Sequence, residues 1–178
     1  MSDADQAFGI QPADFEDPFA ILEACHQRIE RMLRILDRLA AHVAAGGVDV
    51  EAREAIARVR DYFERAGPDH HADEEVDLFP AARAAARAAG DGAQLAAIDA
   101  LEHEHAVMAA VWTALRGHLD ALVERGGPVD AALAARFTTL YRAHVEREEG
   151  VVFAGARSRL DAAARAGLAR SMVARRGR

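Results

Sequence analysis

The 178-residue sequence contains no lysine, a single cysteine, five prolines and few aromatic residues (6%). One cysteine, Cys25, excludes an internal disulfide framework and a zinc site built from cysteines. The β-branched and aromatic residues that favour strands are scarce, whereas alanine alone fills 43 positions. This composition favours helices and argues against a β-sandwich or a β-barrel.

Long apolar runs are also missing. No segment approaches the roughly 20 consecutive apolar residues that a transmembrane helix needs. The N-terminus is acidic and lacks the basic start and apolar core of a signal peptide. We therefore expect a cytoplasmic protein that does not bind membranes.

The charge balance is acidic. All 22 basic residues are arginines, and the 29 acidic residues give a net charge of −7. Such a balance provides no basic surface for nucleic acid, so we expect no nucleic-acid partner. The one arginine-rich stretch, residues 170–178, is interpreted as a solvated tail.

Apolar residues recur every three or four positions and predict four long helices. These cover about residues 18–46, 49–89, 93–125 and 130–157, with an interruption at Gly67-Pro68 inside the second. Short glycine-containing breaks separate the four, and a shorter helix follows at about 161–174. The pattern predicts an all-α, up-down-up-down four-helix bundle. We divide the chain into an irregular leader (1–16), the bundle (17–157), and a C-terminal helix with a basic tail (158–178).

The second half of the sequence repeats the pattern of the first. The stripe that contains His26 in the first helix has the same spacing as the stripe that contains His105 in the third. In the second and fourth helices, matching residues are offset by 74 positions: Phe63, His70, Glu74, Leu78 and Phe79 correspond to Phe137, His144, Glu148, Val152 and Phe153. The chain is therefore two helix pairs built on one plan.

Histidine and glutamate four positions apart share one face of a helix. This arrangement occurs at His70 with Glu74 and at His144 with Glu148, and both faces continue into apolar residues that must enter the core. Burying unpartnered carboxylates costs several kcal/mol each, a cost that a bound cation removes. The predicted ligands are His26, His70, Glu74, His105, His144 and Glu148. Two divalent ions would each receive two imidazoles and share the carboxylates; this mixed set suits iron, with manganese or zinc possible.

Neighbouring residues leave alternatives open. His71 and Glu75 form a second pair, rotated by one residue, that could replace His70 and Glu74 as ligands. Glu30, one turn from His26, is either a further ligand or a partner for an arginine. Cys25 is a buried inert thiol or a redox-sensitive one.

The motifs resemble those of the hemerythrin-like domain of the HHE cation-binding family over roughly residues 17–157. The segments that carry this resemblance are Ala24–Glu30, His70–Glu75 running into Leu78-Phe79-Pro80, Glu104-His105, and His144–Glu149 before Val152-Phe153. The resemblance implies a four-helix bundle that holds a non-haem di-iron centre with an oxo or hydroxo bridge, with the six residues named above as ligands.

The sequence differs from the oxygen-carrying hemerythrins, which have a fifth histidine on the third helix. The positions four residues from His105 are Leu101 and Ala109. The ligand set is similar to that of proteins implicated in repairing iron centres under nitric oxide or oxidative stress. We therefore expect open positions at both irons, and binding of or response to dioxygen, peroxide or nitric oxide in stress response or iron handling.

Other functions remain open from the sequence. Glu23 and Glu102 lie three residues before His26 and His105, a spacing typical of carboxylate-type di-iron oxidases or peroxidases. A helical module with a structural zinc and a metal-free bundle are further alternatives. Whether the protein is an enzyme, and whether it is a monomer or a homodimer, the sequence leaves open.

Overall fold

The computed structural model describes residues 16–177 and contains five helices within them. Helix α1 is Pro18–Gly46, α3 is Gly92–Arg125 and α5 is Ala162–Arg176. Helix α2, residues 50–89, consists of Val50–Asp61, Gly67–Ala72 and Phe79–Ala89, joined by the π-helical turns Tyr62–Ala66 and Asp73–Leu78. Helix α4, residues 131–159, consists of Ala131–Arg147, the π-helical turn Glu148–Phe153 and Ala154–Arg159. The predicted leader lies outside the described residues, apart from Glu16.

An aspartate caps the N-terminus of every helix. The carboxylates of Asp17, Asp49, Asp91, Asp130 and Asp161 each accept a backbone N–H from the first turn. Such caps satisfy amide groups that have no partner within the helix. Helices α1 and α3 end at Gly47 and Gly126, whose φ angles of 73° and 72° suit glycine. The predicted boundaries are thus confirmed to within a few residues.

The interruption predicted at Gly67-Pro68 takes a different form in the structure. The helical backbone continues through Gly67 in the right-handed conformation, and its N–H bonds to the carbonyl of Tyr62, five residues earlier. Pro68 occupies the first turn of the segment that follows, where the missing N–H costs little. A π-helical turn directly before Pro68 therefore takes the place of the predicted break.

Two apolar clusters fill the bundle on either side of its midpoint. One, which we call the upper core, contains Phe63 of α2 and Phe137 of α4. It also contains the buried apolar side chains of α1 from Ile29 to Val43 and of α3 from Met108 to Leu122. The other, the lower core, contains Leu22, Leu78, Leu101 and Val152. Along the chain, α1 and α3 pass from the lower to the upper core, and α2 and α4 pass back. This alternation, with α1 and α3 each packed against both α2 and α4, confirms the predicted all-α, up-down-up-down bundle.

Helix α3 is long and apolar enough, by length and composition alone, to cross a membrane. The core helix of a bundle meets the same criterion, and α3 packs Leu101, Met108 and Leu115 into the two cores.

The C-terminal helix corrects the interpretation of residues 170–178 as a solvated tail. Ala169 and Met172 of α5 pack into the lower core. Arg175 and Arg176 form ion pairs with Asp73, whose side chain is fully buried within the second π-helical turn of α2. Burial disfavours a carboxylate that has no partner. The two ion pairs therefore stabilise the buried Asp73 and attach the C-terminal arginines to the bundle.

Replacing Arg176 by alanine is expected to lower the free energy of unfolding by about 1.5–3 kcal/mol, the range for hydrogen bonds to charged groups. The loss is limited because Arg175 still neutralises Asp73. Urea unfolding of the R176A variant measures the effect. Arg170→Ala, an exposed position on the same helix, is the matched control and should change stability little.

Candidate metal centre

A layer of polar side chains separates the upper and lower cores. It holds all six predicted ligands, with at least one from each bundle helix, and none is more than 5% exposed: His26, His70, Glu74, His105, His144 and Glu148. The structure thus brings the predicted set together at the middle of the bundle. Their assignment as ligands stays a prediction.

Four of these side chains form the first group, which we call position 1. A nitrogen or oxygen of each of His26, His70, Glu74 and Glu148 lies within 4.8 Å of the others. His26 Nε2 is 3.0 Å from Glu148 Oε2, and His70 Nε2 is 3.0 Å from Glu74 Oε1. Two imidazoles and two carboxylates therefore converge on one small volume.

The second group, position 2, lies on the other side of Glu74. His105 Nε2 is 3.1 Å from Glu74 Oε2 and 3.2 Å from His144 Nε2. One oxygen of Glu74 thus faces each position, as expected of a carboxylate that bridges two ions. Glu148 contacts His26 alone among the four histidines at salt-bridge distance, so within the described residues the two carboxylates are not equivalent.

π-helical turns place both carboxylates. Glu74 lies in Asp73–Leu78 and Glu148 begins Glu148–Phe153. Such turns are rare in proteins as a whole, and those that do occur are often found at functional sites. Their recurrence at corresponding points of α2 and α4 extends the internal repeat from sequence to backbone geometry.

Three glutamates outside the layer orient the histidines. His26 Nδ1 donates to Glu149 at 2.7 Å, His105 Nδ1 to Glu75 at 2.6 Å, and His144 Nδ1 to Glu104 at 3.1 Å. In a neutral imidazole, such a bond fixes the tautomer and leaves Nε2 as an acceptor that can face a metal ion. This role was not among the predictions, although Glu75 and Glu149 are offset by the same 74 positions as the predicted ligands.

His70 has a different neighbour. Its Nδ1 has no hydrogen-bond partner of good geometry among residues 16–177. The buried thiol of Cys25 lies beside the His70 ring, and Cys25 Sγ is 3.4 Å from an Arg176 nitrogen. Burial raises the pKa of Cys25, but the proximity of His70 and Arg176 outweighs it and lowers the pKa overall.

The protonation of the layer reflects burial and crowding. Burial and the neighbouring Glu74 charge raise the pKa of Glu148 to about 7. Burial disfavours the charged form of His70, but Glu74 overcomes this and raises its pKa to about 10. Burial lowers the pKa of His144 to about 3, despite the nearby carboxylate. Without a cation, protons must balance the buried carboxylates.

The donor set fits divalent metal ions. Both oxygens of Glu74, both oxygens of Glu148 and Nε2 of His26 are buried and lack a hydrogen bond of good geometry within the described residues. Buried polar atoms are normally satisfied, so these point to a missing partner. Imidazole nitrogens and carboxylate oxygens together suit iron, manganese or zinc.

Glu75, Glu30 and His71, the other candidate ligands, lie at different places in the structure. Glu75 is half exposed and supports His105, so the structure favours His70 with Glu74 as the inward pair. Glu30 binds Arg142 at 3.0 Å and lies near Arg34, not in the layer. His71 lies beside position 2, where one of its ring nitrogens is within 4.8 Å of ligand atoms of Glu74 and His105.

Glu23 and Glu102 also lie away from the layer. Glu23 pairs with Arg157 at 2.6 Å, and Glu102 pairs with Arg83 at 2.8 Å, both near the surface. The spacing that indicated a carboxylate-type oxidase is therefore not matched by inward-facing carboxylates.

The double variant Glu23→Gln, Glu102→Gln is expected to retain its full metal content, because neither carboxylate reaches the layer. Elemental analysis of protein loaded under identical conditions tests this. Metal loss from the double variant would restore the oxidase interpretation.

The fold and this layer define a class: four-helix bundles with a buried histidine and carboxylate metal centre at mid-height. Comparison with known proteins agrees. The family model of the hemerythrin HHE cation-binding domain matches residues 17–156, and the chain belongs to this family. It is 32% identical over 140 residues to an uncharacterized protein of Haemophilus influenzae, an alignment that covers 78% of each chain.

Proposed function

We propose that the protein holds two iron ions in this layer and binds a small oxidant or diatomic molecule there: dioxygen, peroxide or nitric oxide. When bound, ferrous ions supply open coordination positions and electrons for such molecules. The role that follows is in oxidative or nitrosative stress response, or in iron handling.

The carboxylate of Glu74 carries this proposal. It is fully buried, and its two oxygens face two different sets of histidines at 3.0 Å and 3.1 Å. A single ion at one position would leave the other oxygen of Glu74 facing only imidazole nitrogen, which must then carry a proton to bond it. Two ions satisfy both oxygens and spread the carboxylate charge.

A cleft between α1 and α4 supports the access of a small ligand. It has a volume of about 570 Å³ and is lined by His26, Glu30, Val145 and Glu149, among others. A second cleft, about 320 Å³, shares these four residues. His26 is the one predicted ligand that lines each cleft, so both clefts adjoin position 1 at this residue.

The test is metal content followed by ligand titration. Protein purified without oxygen should contain about two irons per chain by elemental analysis. Its optical spectrum should then change on titration with dioxygen, peroxide or nitric oxide. Iron content near zero after anaerobic reconstitution overturns the proposal. Two other results together would instead establish a helical module with a structural metal. Zinc would stabilise the fold, and the spectrum of the cobalt-substituted protein would not respond to added ligands.

A further inference from the structure

A cleft bordered by α1, α2 and α5 is separate from the two clefts that adjoin position 1. It has a volume of about 510 Å³, and it shares no lining residue with either of them. That volume lies within the range of about 300–1,000 Å³ that is usual for small-molecule sites. Its lining includes Arg28 of α1, Tyr62 of α2 and Arg176 of α5. None of the six predicted metal ligands lines it, so the metal layer gives this cleft no function.

We propose that this cleft binds a small organic anion, a molecule with an apolar body and a carboxylate or phosphate group. The cleft offers cations to the anionic group and an apolar wall to the body of the molecule. Binding there needs no metal ion, so the inference goes beyond the proposed function and does not rest on it.

Guanidinium groups give the cleft its positive character. The chain as a whole has a net charge of −7. Nevertheless, four arginines and only two aspartates, Asp61 and Asp69, line this cleft among the described residues: Arg28, Arg58, Arg65 and Arg176. Arg65 pairs with Asp61, and Arg176 pairs with the buried Asp73. Guanidinium groups bind carboxylates and phosphates through paired hydrogen bonds, so this excess of arginine favours an oxyanion.

Arg28 and Arg58 are the two cations best suited to a ligand. Arg28 is 9% exposed, the least of the four arginines, and a cation shielded from water attracts an anion more strongly than one at the surface. Arg58 is 3.8 Å from Glu54, but both side chains are more than half exposed, and such pairs contribute little. A ligand can therefore bind Arg58 without breaking a strong ion pair.

The same cleft has an apolar wall. Met32, Ala66 and Tyr62 line it beside the arginines. The hydroxyl of Tyr62 already donates a hydrogen bond to the carbonyl oxygen of Cys25 at 3.3 Å, and its ring packs edge-on against Phe63. The ring is thereby held in place, so a fixed apolar surface lies next to the cations.

The π-helical turn Tyr62–Ala66 supports a function at this cleft. Unlike the other two π-helical turns, it holds no predicted metal ligand, and it supplies Tyr62, Arg65 and Ala66 to the lining. The corresponding residues of the internal repeat, 136–140, are ordinary α-helix. Because π-helical turns are often found at functional sites, this departure from the repeat indicates a function of α2 that α4 does not share.

Calorimetry of the iron-loaded protein with four probes tests the inference: benzoate, phenyl phosphate, benzyl alcohol and inorganic phosphate. One molecule of benzoate or phenyl phosphate should bind per chain, with a Kd below about 1 mM. Benzyl alcohol lacks the charge and inorganic phosphate lacks the apolar body. Each should therefore bind at least about 10-fold more weakly than the tighter aromatic anion, whose identity shows whether the site prefers a carboxylate or a phosphate.

The metal-free protein distinguishes this cleft from the metal layer. It should bind the same aromatic anion, because no predicted metal ligand lines the cleft. Binding that is lost when the iron is removed would assign the anion to the metal centre and overturn the inference. Absence of iron from the wild type would overturn the proposed function and leave this inference standing.

Variants locate the binding site. Arg28→Met keeps much of the side-chain length and removes the charge, and the affinity for the tighter aromatic anion should fall at least about 10-fold. Arg58→Gln, at an exposed position, should lower it about 3-fold. Arg87→Gln, at an exposed arginine of α2 outside the cleft, is the matched control and should bind like the wild type.

Circular dichroism verifies that each variant folds, and Arg58→Gln decides the question if Arg28→Met does not fold. Three results would overturn the inference: no binding of either aromatic anion, equal binding of benzyl alcohol, or unchanged affinity in the folded variants of Arg28 and Arg58.

Discussion

Removing the metal from the loaded protein is expected to lower the melting temperature by about 8–16 °C. A ligand that is present at 1,000 times its dissociation constant and binds only the folded state stabilises by about 4 kcal/mol. For a chain of this length, each kcal/mol corresponds to about 2–4 °C. The physical reason is the buried pair of Glu74 and Glu148, whose oxygens lack hydrogen bonds of good geometry among the described residues.

Calorimetry before and after dialysis against a chelator measures this shift, and re-addition of metal should reverse it. A variant with His26 and His70 both replaced by alanine should respond less than the wild type, because position 1 is removed. Glu146→Gln, an exposed site on the same helix as Glu148, should respond like the wild type. An unchanged melting temperature in metal-loaded and metal-free wild type would contradict a metal contribution to folding.

Removing one or the other of the two buried carboxylates is expected to have different effects on metal binding. Glu74→Ala should lose both metal ions, whereas Glu148→Ala should lose mainly the ion at position 1. Glu74 faces His70 with one oxygen and His105 with the other, whereas Glu148 contacts His26 at 3.0 Å. Since even residues outside the ligand set alter metal affinity by about 10–100-fold, we expect losses of at least about 100-fold at each position that loses a carboxylate.

Competition with a chromophoric chelator measures the affinity of each ion, and elemental analysis after desalting gives the number retained. About one ion per chain in Glu148→Ala, and near none in Glu74→Ala, is the expected pair of results. Equal loss from both variants would show that the carboxylates are equivalent bridges, as the sequence symmetry alone predicts. Circular dichroism of each variant verifies that the bundle is intact.

The residues that repeat along the chain made most of the layer predictable. A histidine followed four positions later by a glutamate occurs twice, at corresponding points of the repeat. The placement of these side chains could be predicted because helix geometry alone puts both on one face. The same periodicity predicted the bundle, since each stripe must be buried against another helix.

What the sequence did not disclose depends on contacts between distant residues. Arg176 and Asp73 are 103 positions apart, and no local pattern links them. The hydrogen bond from His144 to Glu104 joins two helices, so it depends on how those helices pack. Glu74 and Glu148 have the same spacing from their histidines, so the sequence does not show that the two carboxylates differ. The difference arises from the side chains that surround each of them.

The polar layer also divides the interior of the bundle into two separate hydrophobic cores. Native proteins open locally in cooperative units that differ in stability. In the metal-free protein, amide hydrogens around Leu22 and Leu78 are therefore expected to exchange in a different unit from those around Phe63 and Leu115. Ions bound across the layer would join the two units into one, so that the protein opens only as a whole.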